Sequence, residues 1–166
     1  MVAPKTFLPD EAATLALGAA LAECLEPGLV VYLRGDLGAG KTTLARGVLR
    51  ALGHLGPVRS PTYTLVELYA LSRLDLHHFD FYRFRDPREW IDAGFRDSFN
   101  GRNVSLVEWP EKAAGLLPPP DVEIALAASG SGRSASFTWH SLAGQKCLAL
   151  LADRWPARAS GSSSTC

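Results

Sequence analysis

Several things are scarce in this 166-residue sequence, and each scarcity excludes something. Cysteine occurs three times, as Cys24, Cys147 and Cys166, an odd number with no C-x-x-C spacing. That argues against a disulfide framework or a zinc site and suits a reducing compartment. No apolar run approaches the length of a membrane span, so no membrane partner is expected. Met1 to Asp10 lacks a basic stretch followed by an apolar core, so no secretory signal is visible and the expected location is cytoplasmic. An excess of positive charge is missing too: Lys+Arg and Asp+Glu balance at 17 each. Without a net positive field the chain is not expected to bind DNA, and any role involving RNA would run through a partner.

What is present is an ordinary globular composition, 47% hydrophobic and 20% charged, long enough for one domain with a real core. The strongest local signal is Gly35-Asp36-Leu37-Gly38-Ala39-Gly40-Lys41-Thr42-Thr43, which fits the phosphate-loop pattern G-x-x-x-x-G-K-[ST]. Leu29 to Leu33 before it reads as a buried strand, and Leu44, Val48, Leu49 and Leu52 after it share one helix face. Strand, glycine loop and helix together suit a polyphosphate. Gly35, Gly38 and Gly40 permit positive φ, so that backbone N–H groups can turn inward, and the helix N-terminus adds its own free amides. In such a loop Lys41 reaches the β- and γ-phosphates and the Thr42 hydroxyl ligates Mg2+. A nucleoside triphosphate is the expected ligand.

The rest of the chain supports this frame. Asp10 is an expected N-cap for a helix carrying Leu15, Ala19, Ala22 and Leu25, and Thr14 within it reads as an exposed hydroxyl. Gly47, inside the second helix, hints at close packing. Ser60-Pro61-Thr62-Tyr63-Thr64-Leu65-Val66 reads either as a turn into an edge strand, Tyr63 to Leu68, or as a switch segment meeting the γ-phosphate. Asp80 lies in a strand, where a buried acid needs a partner or a metal, direct or through water. His77 and His78 read as packing or hydrogen-bonding residues, and Arg83 to Glu89 as mostly a solvated, self-compensating surface or else a docking face. Asn103 to Glu108 is an apolar strand ending in a carboxylate, as in a Walker B site, where Glu108 would hold Mg2+ or orient a water. Trp109-Pro110 stops that strand, with Trp109 walling the site or capping the core. Val122 to Leu126 and Ser134 to His140 alternate about a Gly/Ser turn and predict an antiparallel hairpin, followed by a helix over Ala143 to Ala152. The expected fold is α/β, a mainly parallel central sheet flanked by helices with this C-terminal hairpin. Residues 1–154 are expected to form one nucleotide-binding P-loop domain, with 155–166 a disordered tail.

Taken together these motifs resemble the TsaE (YjeE) family, the ATPase component of the bacterial machinery that makes N6-threonylcarbamoyladenosine on tRNA. The likeness rests on Leu8-Pro9-Asp10-Glu11 with Thr14, the phosphate loop, Ser60 to Val66, His78-Phe79-Asp80 with Tyr82-Arg83, and Val107-Glu108-Trp109-Pro110. It implies a P-loop NTPase fold and weak intrinsic ATPase activity expressed with TsaD- and TsaB-like partners, tRNA being met only through the complex. ATP and Mg2+ are the implied cofactors. The resemblance implies nucleotide binding by Asp36, Gly38, Ala39, Gly40, Lys41, Thr42 and Thr43, with Thr14 near the adenine and Trp109 beside the site. It puts Mg2+ at Thr42 and Glu108, and the expected catalytic set is Lys41, Thr62, Asp80 and Glu108.

Two other readings compete. A small-molecule or nucleotide kinase shares the phosphate loop but needs an acceptor pocket and a lid of positioned arginines, for which Arg83, Arg85 and Arg88 are the candidates. A GTP-binding switch needs N-K-x-D, and none of the four lysines follows an asparagine.

Overall fold

The computed structural model describes residues 2–155; the tail expected over 155–166 lies outside the described residues from 156 onward. The strands are β1 (Val2–Leu8), β2 (Val30–Arg34), β3 (Val66–Ala70), β4 (Asp75–Asp80), β5 (Val104–Glu108), β6 (Val122–Ser129) and β7 (Gly132–Trp139). The helices are α1 (Glu11–Ala22), α2 (Lys41–Ala51), α3 (Pro87–Asp92), α4 (Phe95–Ser98) and α5 (Leu142–Arg154), and Pro110–Ala113 forms a 3-10 turn. All seven strands join one sheet in the order β1-β7-β6-β2-β5-β4-β3.

Central strands are the most buried, because a strand in the middle of the sheet is covered on both faces. β5 is buried at all five positions and β2 at Val30 to Leu33. Around them β6, β2, β5 and β4 run parallel, while β7, β1 and β3 are added antiparallel at the margins. The sheet is therefore mixed rather than mainly parallel. The hairpin is continuous with it, since β6 pairs with β2 on one side and β7 on the other.

Helices α1, α2 and α5 cover one face through Leu17, Leu21, Leu44, Val48, Leu148 and Leu151. Asp10 caps α1 as expected, its carboxylate accepting from Ala13 N–H at 2.8 Å. On the other face Phe79, Phe81, Phe84, Trp90 and Phe95 form an aromatic core. Trp90 and Phe95 come from α3 and α4, just after the Arg83 to Glu89 run that reads as solvated surface. Asp86 starts α3 by accepting from Arg88 N–H, so the arginine run includes the entry to a buried aromatic. Trp155 also departs from expectation: it packs against the core and donates from Nε1 to Thr6 Oγ1 at 3.1 Å.

Candidate functional site

The site lies at the C-terminal ends of β2, β5 and β4, where parallel strands release their connections and α/β sheets present ligand-binding loops. Gly35, Gly38 and Gly40 all have positive φ, at 146°, 80° and 107°. A Cβ on Gly35 would stand 2.5 Å from Leu126 O, so the turn tolerates no side chain there. Gly40 is the N-cap of α2 and Lys41 its first residue, which aims the helix's free amides into the loop.

Lys41 is almost fully buried. Its ammonium donates to Gly35 O and to Asp36 O, the latter at 3.2 Å, and sits 4.0 Å from the centroid of the Trp109 ring. Burial lowers its pKa, opposed by the nearby Glu108 and Asp80 carboxylates. Trp109 reaches that position with a left-handed backbone, φ 57°, immediately before the proline that opens the 3-10 turn. For a bulky residue this conformation costs roughly 1–3 kcal/mol, sustained by its surroundings.

Two carboxylates stand side by side, because β4 and β5 pair Asp80 with Glu108 in register. Both are buried, and each is occupied differently. Thr42 Oγ1 lies 3.1 Å from both oxygens of Glu108, and His78 Nε2 is 2.6 Å from Oε2 of the same group. Asp80 holds the 60–62 segment instead: Ser60 Oγ donates to Oδ2, Thr62 Oγ1 is 3.4 Å from it, and Tyr82 N–H donates to Oδ1 at 2.8 Å. Leu65, with φ 67°, closes this segment by donating to Pro61 O and accepting from Asp80 N–H, just before edge strand β3.

These groups border a cavity of about 320 Å³. Gly38, Ala39, Gly40, Lys41, Thr42, Thr43, Thr62, Asp80, Glu108 and Trp109 all line it. Thr14 and Asp36 do not. Thr14 is fully buried rather than exposed, accepting from Arg133 Nη1 at 3.3 Å. Asp36 contributes its backbone carbonyl and borders an adjoining groove against β6. Arg133 is a lining residue that the sequence does not reveal, since it reads there as part of a Gly/Ser turn. It packs over Gly40, where a Cβ would be 2.5 Å from Nη1. His78 was legible only as a packing or hydrogen-bonding residue. Arg83, Arg85 and Arg88 stay out of the cavity; Arg83 stacks 4.6 Å from the exposed Tyr63 ring and Arg88 pairs with Asp86.

The donor set is a backbone-amide cradle, an ammonium, an arginine, and the hard oxygens of Thr42 and Glu108. Such a set suits a polyphosphate with a small oxygen-seeking cation that keeps most of its water. Among the described residues no group of three or more His, Cys, Asp or Glu gathers as a soft-metal cage, and Cys24 and Cys147 are buried free thiols. No helix among the described residues is long and apolar enough to cross a membrane.

The family described as "Threonylcarbamoyl adenosine biosynthesis protein TsaE" matches residues 8–135. The tRNA threonylcarbamoyladenosine biosynthesis protein TsaE of Haemophilus influenzae is 50% identical over 121 residues, 70% of this chain and 77% of that protein. The TsaE protein of Bacillus subtilis is 40% identical over 135 residues, 81% of this chain and 83% of its own length. The crystal structure of Bacillus subtilis YdiB superposes with a TM-score of 0.79 at 30% identity, covering 93% of this chain and 97% of that one. The match spans the glycine loop, both strand-end carboxylates and the first residues of β7, and on it the chain belongs to the TsaE family of threonylcarbamoyladenosine biosynthesis proteins.

Proposed function

We propose that this chain is a Mg2+-dependent ATPase with a P-loop NTPase fold, acting in the cytoplasm with TsaD- and TsaB-like proteins in threonylcarbamoyladenosine formation on tRNA. Residues 1–154 would form the ATPase unit, with Trp155 docked at its end. The observation that carries the reading is the contact of Thr42 Oγ1 with both oxygens of Glu108, beside Lys41 at the mouth of the glycine loop.

The residues fit the cofactors. Thr42 and Glu108 would hold Mg2+, whose charge, when bound, would offset that of the phosphate oxygens. Lys41 now rests on two loop carbonyls and would exchange them for phosphate, a stronger acceptor for an ammonium. The glycine-loop amides would orient the chain of phosphates, and Arg133 would add positive charge over Gly40. Asp80 ties Ser60 and Thr62 to the cavity wall, which supports a role for this segment beside the reacting phosphate. Thr62, Asp80 and Glu108 line the cavity and would be the groups to orient an attacking water. The balanced charge supports an energising role rather than direct work on RNA. No observation favours the kinase alternative, because its candidate arginines lie outside the cavity.

Steady-state ATP hydrolysis with Mg2+, alone and with TsaD- and TsaB-like proteins, tests the proposal. Slow turnover that rises with the partners and disappears in Lys41→Ala is expected. Turnover indifferent to the partners, with phosphorylation of an added nucleoside, nucleotide or sugar, would replace it with the kinase reading.

A further inference from the structure

Resting on that proposed site, we infer that His78 is the positioning residue that holds Glu108 in the orientation needed to bind Mg2+. His78 is completely buried on β4, and its Nε2 lies 2.6 Å from Glu108 Oε2. The β4–β5 register pairs His78 with Leu106 and Asp80 with Glu108, so the imidazole reaches diagonally to the neighbouring strand's last residue. Nδ1 is buried and finds no hydrogen-bond partner among the described residues. Of the two neutral tautomers, the Nε2–H form suits this site: it leaves only a lone pair at Nδ1 without a partner, whereas the other would strand an N–H and remove the donor facing the carboxylate. An Nε2–H donor of fixed position pins Oε2.

This arrangement has a chemical consequence. Glu108 is nearly fully buried, and a glutamate side chain has three rotatable bonds that a weakly held carboxylate would explore. Thr42 Oγ1, equidistant from the two carboxylate oxygens, does not select an orientation by itself. His78 supplies the missing selection and is itself locked, by its burial in the sheet. Outer groups of this kind commonly set metal affinity by about 10–100-fold without touching the metal.

The test compares His78→Gln with His78→Asn in the full chain. A glutamine amide reaches as far as Nε2 and can still donate to Glu108, while asparagine stops near the position of Nδ1. The probe is adenylyl imidodiphosphate, titrated calorimetrically in EDTA and over a series of Mg2+ concentrations, with melting temperatures taken without ligand. Expected is a rise of about 10–100-fold in the Mg2+ needed for half-maximal tightening in His78→Asn, near-wild-type behaviour in His78→Gln, and unchanged affinity in EDTA for both. Equal Mg2+ requirements in all three proteins would overturn the inference while leaving the ATPase proposal intact. So would equal impairment of both variants, or loss of a cooperative melt in both, which would make His78 a core residue only. A wild-type chain whose nucleotide affinity ignores Mg2+ would instead refute the proposed site, and this inference with it.

Discussion

At the scale of single residues, burial rather than charge pairing sets the unusual ionisations. Lys41 and His77 are both shifted downward chiefly by desolvation, and for His77 the opposing pull of Asp75 is the smaller effect. His77 Nδ1 is also buried without a partner among the described residues. A histidine with a lowered native pKa binds its proton more readily when unfolded. As pH falls below the ordinary value of 6.5, the unfolded chain takes up a proton that the native chain refuses. The contribution is thus fully present above that value and lost as pH falls through the window down to the native pKa. Urea unfolding from pH 7.5 to 5 is expected to give a steeper acid loss in wild type than in His77→Leu, by no more than about 1.4 kcal/mol per pH unit for one proton. Parallel profiles would mean that His77 is not a contributor. Cys147 is the counterpart at high pH, its thiol pushed up to about 12 by burial, which makes it a packing residue rather than a reactive one.

At the scale of elements, α1 and α2 approach through two glycines that face each other's backbones. A Cβ on Gly47 would lie 2.4 Å from Leu15 O, and one on Gly18 would lie 2.5 Å from Leu44 O. Neither carbonyl can yield without moving a helix, and moving α2 displaces Lys41 and Thr42 at its first turn. Gly47→Ala recovers roughly 1 kcal/mol of helix propensity, but overpacking of this kind costs about 1–3 kcal/mol. The net expectation is a lower melting temperature together with, under the proposed function, weaker nucleotide binding. A Gly47→Ala protein more stable than wild type would show that the helices can separate freely. The approach also explains why a helix tolerates glycine at its centre.

At the scale of the whole molecule, the two ends of the described chain close on each other. Trp155 docks on Thr6, and Arg154 pairs with Glu23 at 2.7 Å, so α5 ties β1 and α1 to the sheet. The proposed ligand site draws on β2, α2, β4, β5 and β7, so occupancy should stabilise the fold as a unit. Under that proposal, Mg2+ and ATP at about 100 times the dissociation constant should add about 2.7 kcal/mol to wild type. For a domain of this size that is a rise of roughly 5–10 °C in melting temperature. Lys41→Ala should show none of it. An equal rise in both proteins would place binding somewhere other than the glycine loop.

Much of this was determined by sequence alone, wherever the physical cause is local. The glycine loop, the Asp10 cap, the buried strand ending at Glu108 and each alternating strand of the hairpin declare themselves within a short run of consecutive residues. So does the family, whose signature is a set of such segments. Tertiary structure decided the rest. β1 shows only a brief alternation, buried Thr6 and Leu8 against exposed Lys5 and Phe7, and becomes a strand because β7 offers it an edge. Just after the arginine-rich stretch, Trp90 and Phe95 are buried in α3 and α4 against Phe79 of β4 and Phe81 just beyond it. Arg133 enters the cavity only because β7 returns beside β6, and Thr14 is buried only because α1 packs there. His78 faces Glu108 through a strand register, and a register is a relation between segments that neither segment carries by itself.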